Sequence, residues 1–450
     1  MTTGAERNSF PEGLHNAFLF ATFNALSFQI VISSPMVLYA KSLGASATVL
    51  GIIAGMMPLL VIFQIPAAQY VSRVGYKRFV YAGWGMRVMF IFGMALVPIT
   101  YAFLNDTSRL ALLLLLLFAF NLSRGISSCA WLPWISSLVP AAVRGKYLAR
   151  DAGCVNLASF VCFLLAAFCL AGDPKPWQFA LLFAFSAVMG ATSLSFLKRI
   201  PDVDPPEQER ASKGAVPWGE MLRYGPFRKL LRMVLGWSLA YGGLTAFTVA
   251  FLKTEAHMSE EKILLVSSVS FLGGLGSLWI AGSRLDHMGS KPVLTFSFFA
   301  WLLVLAGWGL LAGRVFPPQL WIIIALQFCV GLLAALVTMS NTRLAMAIVP
   351  VMGRNHFFAI FSVVNNLSLG LAPILWGLTI DAVGAWRVLW RGLEWNRYSI
   401  FFAAAALTMF FTMVLARRLD EPQAASMEAL LRELLIESPQ RVLVRLWPRE

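Results

Sequence analysis

Ala68-Gln69-Tyr70-Val71-Ser72-Arg73-Val74-Gly75-Tyr76-Lys77 and Gly282-Ser283-Arg284-Leu285-Asp286-His287-Met288-Gly289-Ser290-Lys291 are two versions of one segment. Their glycines (75 and 289) and lysines (77 and 291) fall in register, and each segment separates two long apolar runs. A second pair behaves alike. Val139-Pro140-Ala-Ala-Val-Arg144-Gly145-Lys146-Tyr-Leu-Ala149 answers Val349-Pro350-Val-Met-Gly-Arg354-Asn355-His356-Phe-Phe-Ala359. Two independent matches at nearly one offset, about 210 residues, mark the second half of the chain as a copy of the first.

Around these loops the chain is apolar. Runs long enough for a bilayer-spanning helix, roughly 20 residues, lie at 14–40, 49–70, 79–101, 110–138, 152–171 and 178–197. They resume at 230–252, 263–283, 292–312, 319–342, 356–380 and 399–416. Of the 450 residues 58% are hydrophobic and 13% charged, against about 25% charged in a soluble domain. The mean hydropathy is +0.72. Only a bilayer accommodates that much apolar surface. The expected fold is an all-α membrane protein of twelve transmembrane helices in two pseudo-symmetric six-helix bundles. The expected divisions are 1–197, a linker at 198–229, 230–417, and a tail at 418–450.

The linker carries Pro201, Pro205 and Pro206 and then charge, a composition that cannot bury a core. Residues 217–224 within it read as a short interfacial helix. In the tail, Met427, Leu430, Leu431 and Leu434 recur at helical spacing, as in an amphipathic helix on the membrane or a disordered extension. The net charge of +14 sits largely in loops, which argues for anionic lipid as its partner and against nucleic acid. Arg73, Lys77, Arg78, Arg144, Lys146, Arg150 and the linker bases fall on one side. Lys41, Arg109 and Lys175 fall sparsely on the other, with 381–398 (Arg387, Arg391, Arg397) an exception. That bias places both termini in the cytoplasm, as expected for a multi-pass inner (plasma) membrane protein. The first run is too long for a signal peptide. The five cysteines lie within apolar runs without metal-ligand spacing and read as small buried hydrophobes, so neither a disulfide frame nor a metal is expected.

The repeated loops resemble those of the major facilitator superfamily, whose hallmark Gly-x-x-x-Asp-Arg-x-Gly-Arg-Lys joins helices two and three and recurs more loosely between eight and nine. The second copy keeps Gly282, Asp286, Gly289 and Lys291. The first keeps Arg73, Gly75, Lys77 and Arg78 but has Ala68 for Gly and Ser72 for Asp. The resemblance identifies no subfamily. It implies a secondary transporter in which helices one, four, seven and ten line a central cavity. Physically, a tight reversal needs glycine at positive φ, and a carboxylate at a helix end can hold a neighbouring arginine or helix N-terminus. Arg73, Gly75, Lys77, Gly282, Asp286, Gly289 and Lys291 are therefore the expected conformational latch, with Arg73, Lys77 and Arg78 alternatively anchoring helix ends to lipid phosphates.

A charge inside a bilayer is expensive and so a functional candidate. Arg87, Arg124 and Arg343 are the intramembrane arginines, and no Asp or Glu lies in the centre of any run. A cationic cavity without acids suits an anionic or zwitterionic substrate. Arg124, at the middle of helix four, ranks first for substrate contact. Arg87 reads as structural, hydrogen-bonded to backbone carbonyls or to Asn and Ser of helix two or four. Gln29, Tyr241 and Asn365 are the polar candidates at mid-helix, and Trp131 beside Pro133 is a candidate cavity wall, with plain packing the alternative. The glycines Gly242-Gly243 and Gly51-x-x-x-Gly55 read as close helix contacts. The expected partners are a small-molecule substrate and the bilayer, with an unassigned coupling ion, no cofactor, and a monomeric state. The alternatives are a non-transporting sensor or lipid-handling protein on the same fold. A membrane enzyme would need a cluster of His, Asp, Glu or Cys at one interface, and the four histidines are scattered.

Overall fold

The computed structural model describes residues 13–139, 144–203, 218–281, 289–348 and 354–419. No water in the bilayer core can serve a free backbone N–H or C=O, so each apolar run closes its own hydrogen bonds as a helix. The first half comprises α1 (His15–Ile32) and α2 (Ser34–Ser42) in span 1, and α3 (Ala47–Leu60) and α4 (Gln64–Val74) in span 2. Span 3 is α5 (Tyr76–Leu96), span 4 is α6 (Asp106–Ser127) with α7 (Trp131–Leu138), span 5 is α8 (Arg144–Cys169) and span 6 is α9 (Pro176–Leu197). The short α10 (Trp218–Arg223) precedes span 7, made of α11 (Gly225–Tyr241) and α12 (Leu244–Thr254). Then come α13 (Glu260–Ala281), α14 (Ser290–Ala312), α15 (Leu320–Ile348), α16 (Arg354–Val383) and α17 (Arg397–Arg417) as spans 8 to 12. Twelve helices among the described residues are long and apolar enough to cross a membrane, as the runs foretold. The amphipathic segment expected in the tail lies outside the described residues.

Within the first half, span 1 packs on spans 5 and 6, span 3 on 4 and 6, and span 2 on 4. Adding six to each number gives the second half: span 7 packs on 11 and 12, span 9 on 10 and 12, and span 8 on 10. The repeat read in the loops thus recurs in the helix pairing. The two halves meet where span 2 packs along span 11 and span 5 along span 8, again a repeat-related pair, and where α2 meets α12. Small residues allow this approach: Gly51 lies against the Pro373 carbonyl, Gly55 against that of Gly370, and Gly377 against Ala47.

One tie sits on the face away from the linker. A hairpin, β1 (Val388–Trp390) and β2 (Leu393–Trp395), joins spans 11 and 12. Its turn residues Arg391 and Gly392 take φ +51° and +79°, the geometry that matches strand twist. The hairpin's Arg387 and the neighbouring Arg397 each reach the almost buried Glu255 at 2.9 Å, and Arg314 reaches Glu394 at 3.5 Å. The local excess of arginine noted in 381–398 is therefore largely paired with carboxylates, which weakens it as a topological signal.

Spans 8 and 10 interlock through reciprocal glycines: Gly273 lies on the Phe328 carbonyl and Gly331 on that of Ser270. A methyl group at Gly331 would meet backbone that cannot yield. Gly331→Ala should destabilise the protein by about 1–3 kcal/mol, seen as a lower melting temperature in detergent. Gly85→Ala, where a Cβ meets nothing within 4 Å, should leave it unchanged or slightly raised.

Candidate functional site

Span 1 breaks at Ser33, which leaves the helix with φ −123° and ψ −156° before Pro35 restarts it. Span 7 breaks at Gly242-Gly243, where Gly243 takes φ +78°. The offset from Ser33 to Gly243 equals that from Pro140 to Pro350, so the two breaks occupy corresponding places in the repeat. Proline also lies inside the helix of span 2, at Pro58, and of span 11, at Pro373, where it removes a backbone donor. The two breaks and both prolines border one cavity of about 330 Å³ between the halves, lined by Ser33, Met57, Tyr241, Thr245 and Asn366 among others. Irregular backbone at membrane depth is tolerated where it lines a cavity. Leu244, Thr245 and Ala246 open α12 without a side-chain cap and stand on the cavity wall. They turn the positive end of a helix dipole toward it.

Among the described residues the halves touch most extensively around and beyond this cavity. On the linker side α1 and α4 pack mainly within the first half and α11 mainly within the second, whereas α2 and α12, on the far side, pack on each other. At the far-side rim Asp381 of span 11 caps the N-terminus of span 2. It accepts hydrogen bonds from the backbone N–H of Ala47 (2.9 Å) and Thr48 (2.7 Å) and from the Thr48 hydroxyl (2.6 Å). This carboxylate crosses from one half to the other.

The structure divides the expected substrate residues into two groups. Tyr241 stands on the cavity wall, its ring stacked on Trp237 at 4.8 Å. Gln29 is one step back and accepts the Ser33 hydroxyl at 2.7 Å. Asn366, rather than its neighbour Asn365, lines the cavity. Arg124 and Trp131 are elsewhere, in the first half. Trp131 packs against Phe20, Trp84 and Trp134, the arrangement of an aromatic core. Trp134 is fully buried, and its indole N–H donates to the Pro201 carbonyl.

Arg124 follows Leu113, Leu117, Phe120 and Asn121 along the buried stripe of α6, opposite the exposed Leu115, Phe118 and Ile126. It faces the interior of the half and not lipid, although it is not among the residues lining the 330 Å³ cavity. Phe120, one turn before it, meets Arg87 of span 3. Arg87 is only 3% exposed and, among the described residues, its Nε lacks the hydrogen bond that the sequence suggested. Its guanidinium lies over the rings of Trp84 (4.7 Å) and Phe120 (5.0 Å), while its Nε, like Nη1 of Arg124, is buried without an acceptor. Among the described residues no carboxylate is in hydrogen-bond contact with either group. Burying such a charge costs several kcal/mol, which the two rings offset only in part for Arg87.

Of the expected latch, Gly75 and Gly289 take φ +89° and +84° at corresponding helix junctions. Arg73 is exposed and Lys77 half-buried. Lys291 is half-buried near the start of α14. Gly282 and Asp286 lie outside the described residues. Sequence reasoning missed Ser33, Thr245, Asn366 and Asp381 as site residues. The glycine pair at 242–243 and the matching offset of Ser33 were the signals that could have found the first two.

A family model described as Major Facilitator Superfamily matches residues 17–314 and 249–445. No curated protein matches the chain in sequence. Among solved structures, a D-xylose-proton symporter superimposes with TM-score 0.72 at 12% identity, covering 91% of this chain and 98% of its own. The xylose transporter XylE from E. coli, in an inward-open conformation, gives 0.67 at 14%, covering 92% and 99%. A mutant of the nucleoside transporter NupG gives 0.68 at 13%, covering 91% and 100%.

Proposed function

The chain belongs to the major facilitator superfamily, and from that membership we propose that it is a secondary transporter carrying a small anionic or zwitterionic solute by alternating access. It is a multi-pass membrane protein on a transporter fold. The observation that carries the mechanism is the asymmetry of contact between the halves. Among the described residues they are closed on the far side by spans 2 and 11 and by α2 and α12, and pack far less on the linker side. A solute entering from the linker side reaches a cavity whose walls are interrupted helices, with free backbone donors at the start of α12. Release on the far side requires the Asp381 cap on span 2 to break, while a reciprocal contact forms on the linker side. Residues 1–197 and 230–417 move as two units in this cycle, with 198–229 as the tether. The bias of loop bases supports a cytoplasmic linker and cytoplasmic termini, and in this reading the conformation is inward-open.

Arg124 is the residue that selects charge. It lies near the middle of span 4, on the buried stripe of α6, and has an unpaired buried Nη1 among the described residues. A solute with a carboxylate or phosphate supplies its partner.

In proteoliposomes, Arg124→Ala should abolish uptake of any anionic solute that a thermal-shift screen of the wild type identifies, while insertion and fold survive. Arg124→Lys should recover only part of the rate, because an ammonium cannot make the planar two-pronged contact. Normal uptake by Arg124→Ala would remove the anion reading. The orientation is checked separately in a cysteine-free background: an impermeant maleimide applied to intact cells should label Ser108→Cys and not Arg210→Cys, and the reverse pattern contradicts it.

A further inference from the structure

We propose that Arg87 and Arg124 together form one site for a doubly charged oxyanion, a phosphate-type group, with Arg87 as its second arm. The proposal rests on the reading of Arg124 as the anion-recognising residue and adds the class of anion. Three observations support it. First, both guanidiniums have a buried nitrogen with no acceptor, although they project from adjacent packed helices, α5 and α6. Second, the Arg87 guanidinium lies 5.0 Å from the ring of Phe120, which stands one turn before Arg124 on the same face of α6, and among the described residues no carboxylate is in hydrogen-bond contact with either arginine. A single carboxylate would leave one positive charge uncompensated in an apolar setting, whereas a dianion neutralises both. Third, the rings of Trp84 and Phe120 flank the Arg87 guanidinium at 4.7 and 5.0 Å. These contacts hold the cation without accepting its N–H hydrogen bonds as an oxygen would, which leaves its buried Nε–H to an acceptor. Asn24 accepts the Trp84 indole N–H at 3.3 Å and braces that ring. Aromatic contact with Arg87 alone would explain a lone structural arginine. It does not explain a second unpaired arginine placed to repel the first.

The oxyanion can belong to a soluble phosphate or to a lipid headgroup, and the test separates them. The full chain in a neutral detergent is titrated at pH 8 and fixed ionic strength with sodium phosphate, sodium acetate and a short-chain phosphatidic acid, and thermal stability is followed. Phosphate or the phosphatidic acid should bind about tenfold more tightly than acetate, and the tighter of the two identifies the source. Arg87→Gln should lose this preference while still binding acetate, Arg87→Lys should retain part of it, and Arg124→Gln should bind none of the three. Acetate binding as tightly as both phosphate compounds overturns the dianion site and leaves the anion reading standing. No stabilisation of the wild type by any of the three overturns both. If Arg87→Gln fails to fold, the wild-type comparison together with Arg87→Lys decides.

Discussion

A bilayer offers no water to a broken helix, and that constraint shapes the molecule. Each interruption of a spanning helix must be surrounded by protein or open onto a wet space. Here the breaks at Ser33 and Gly242-Gly243 and the prolines at 58 and 373 converge on a single cavity. Ser33 and Gly243 correspond in the repeat, so a duplicated six-helix unit brings two weak points face to face across the interface. Glycines then let the same helices approach closely on the far side, as Gly51 and Gly55 do against the backbone of span 11. Tight contact on one side and weak helices at the centre together favour two halves that rock, not two halves that fuse.

Charge is distributed unequally between the halves. In the second, Glu255 and Glu394 hold Arg314, Arg387 and Arg397 at the far-side rim. In the first, Arg87 and Arg124 lie deep and unpaired. Paired charges at a rim cost little and stiffen the hairpin. Unpaired charges in the core are retained at a cost to stability, and under the proposed function an anion offsets that cost. Asp381 is a different device. As a helix cap from the opposite half, it links a local hydrogen-bond pattern to the global contact between spans 2 and 11.

The fold was legible because its signals are local. Apolar run length gave the twelve spans, and loops such as those at Pro140 and Pro350 gave the duplication. The site was only partly legible. Depth along a helix picked out Tyr241, but one residue of rotation separates Asn365 from the cavity-lining Asn366, and no apolar pattern resolves that phase in a helix buried on several sides. Gly242-Gly243 was read as a close helix contact, and it is one, since a Cβ at either position would crowd Pro373 of span 11. That the pair also breaks its helix, with Gly243 at φ +78°, could not be told from sequence, because glycine serves contacts and breaks equally well. Arg87 was expected to satisfy its donors locally. That two arginines from different helices would come close enough to repel could not be read from either helix alone.

Alternating access is tested most directly by interspin distances in a background lacking the five native cysteines. One label pair spans the linker side, at the exposed Arg73 and Arg418, and one the far side, at the exposed Phe103 and Leu389. Each pair should show two distance populations that trade reciprocally, the linker-side pair shortening as the far-side pair lengthens. Asp381→Ala, which removes the cap across the halves, should shift both toward the far-side-open population. A single distance in each pair, unchanged by Asp381→Ala and by every solute that binds, would contradict the account.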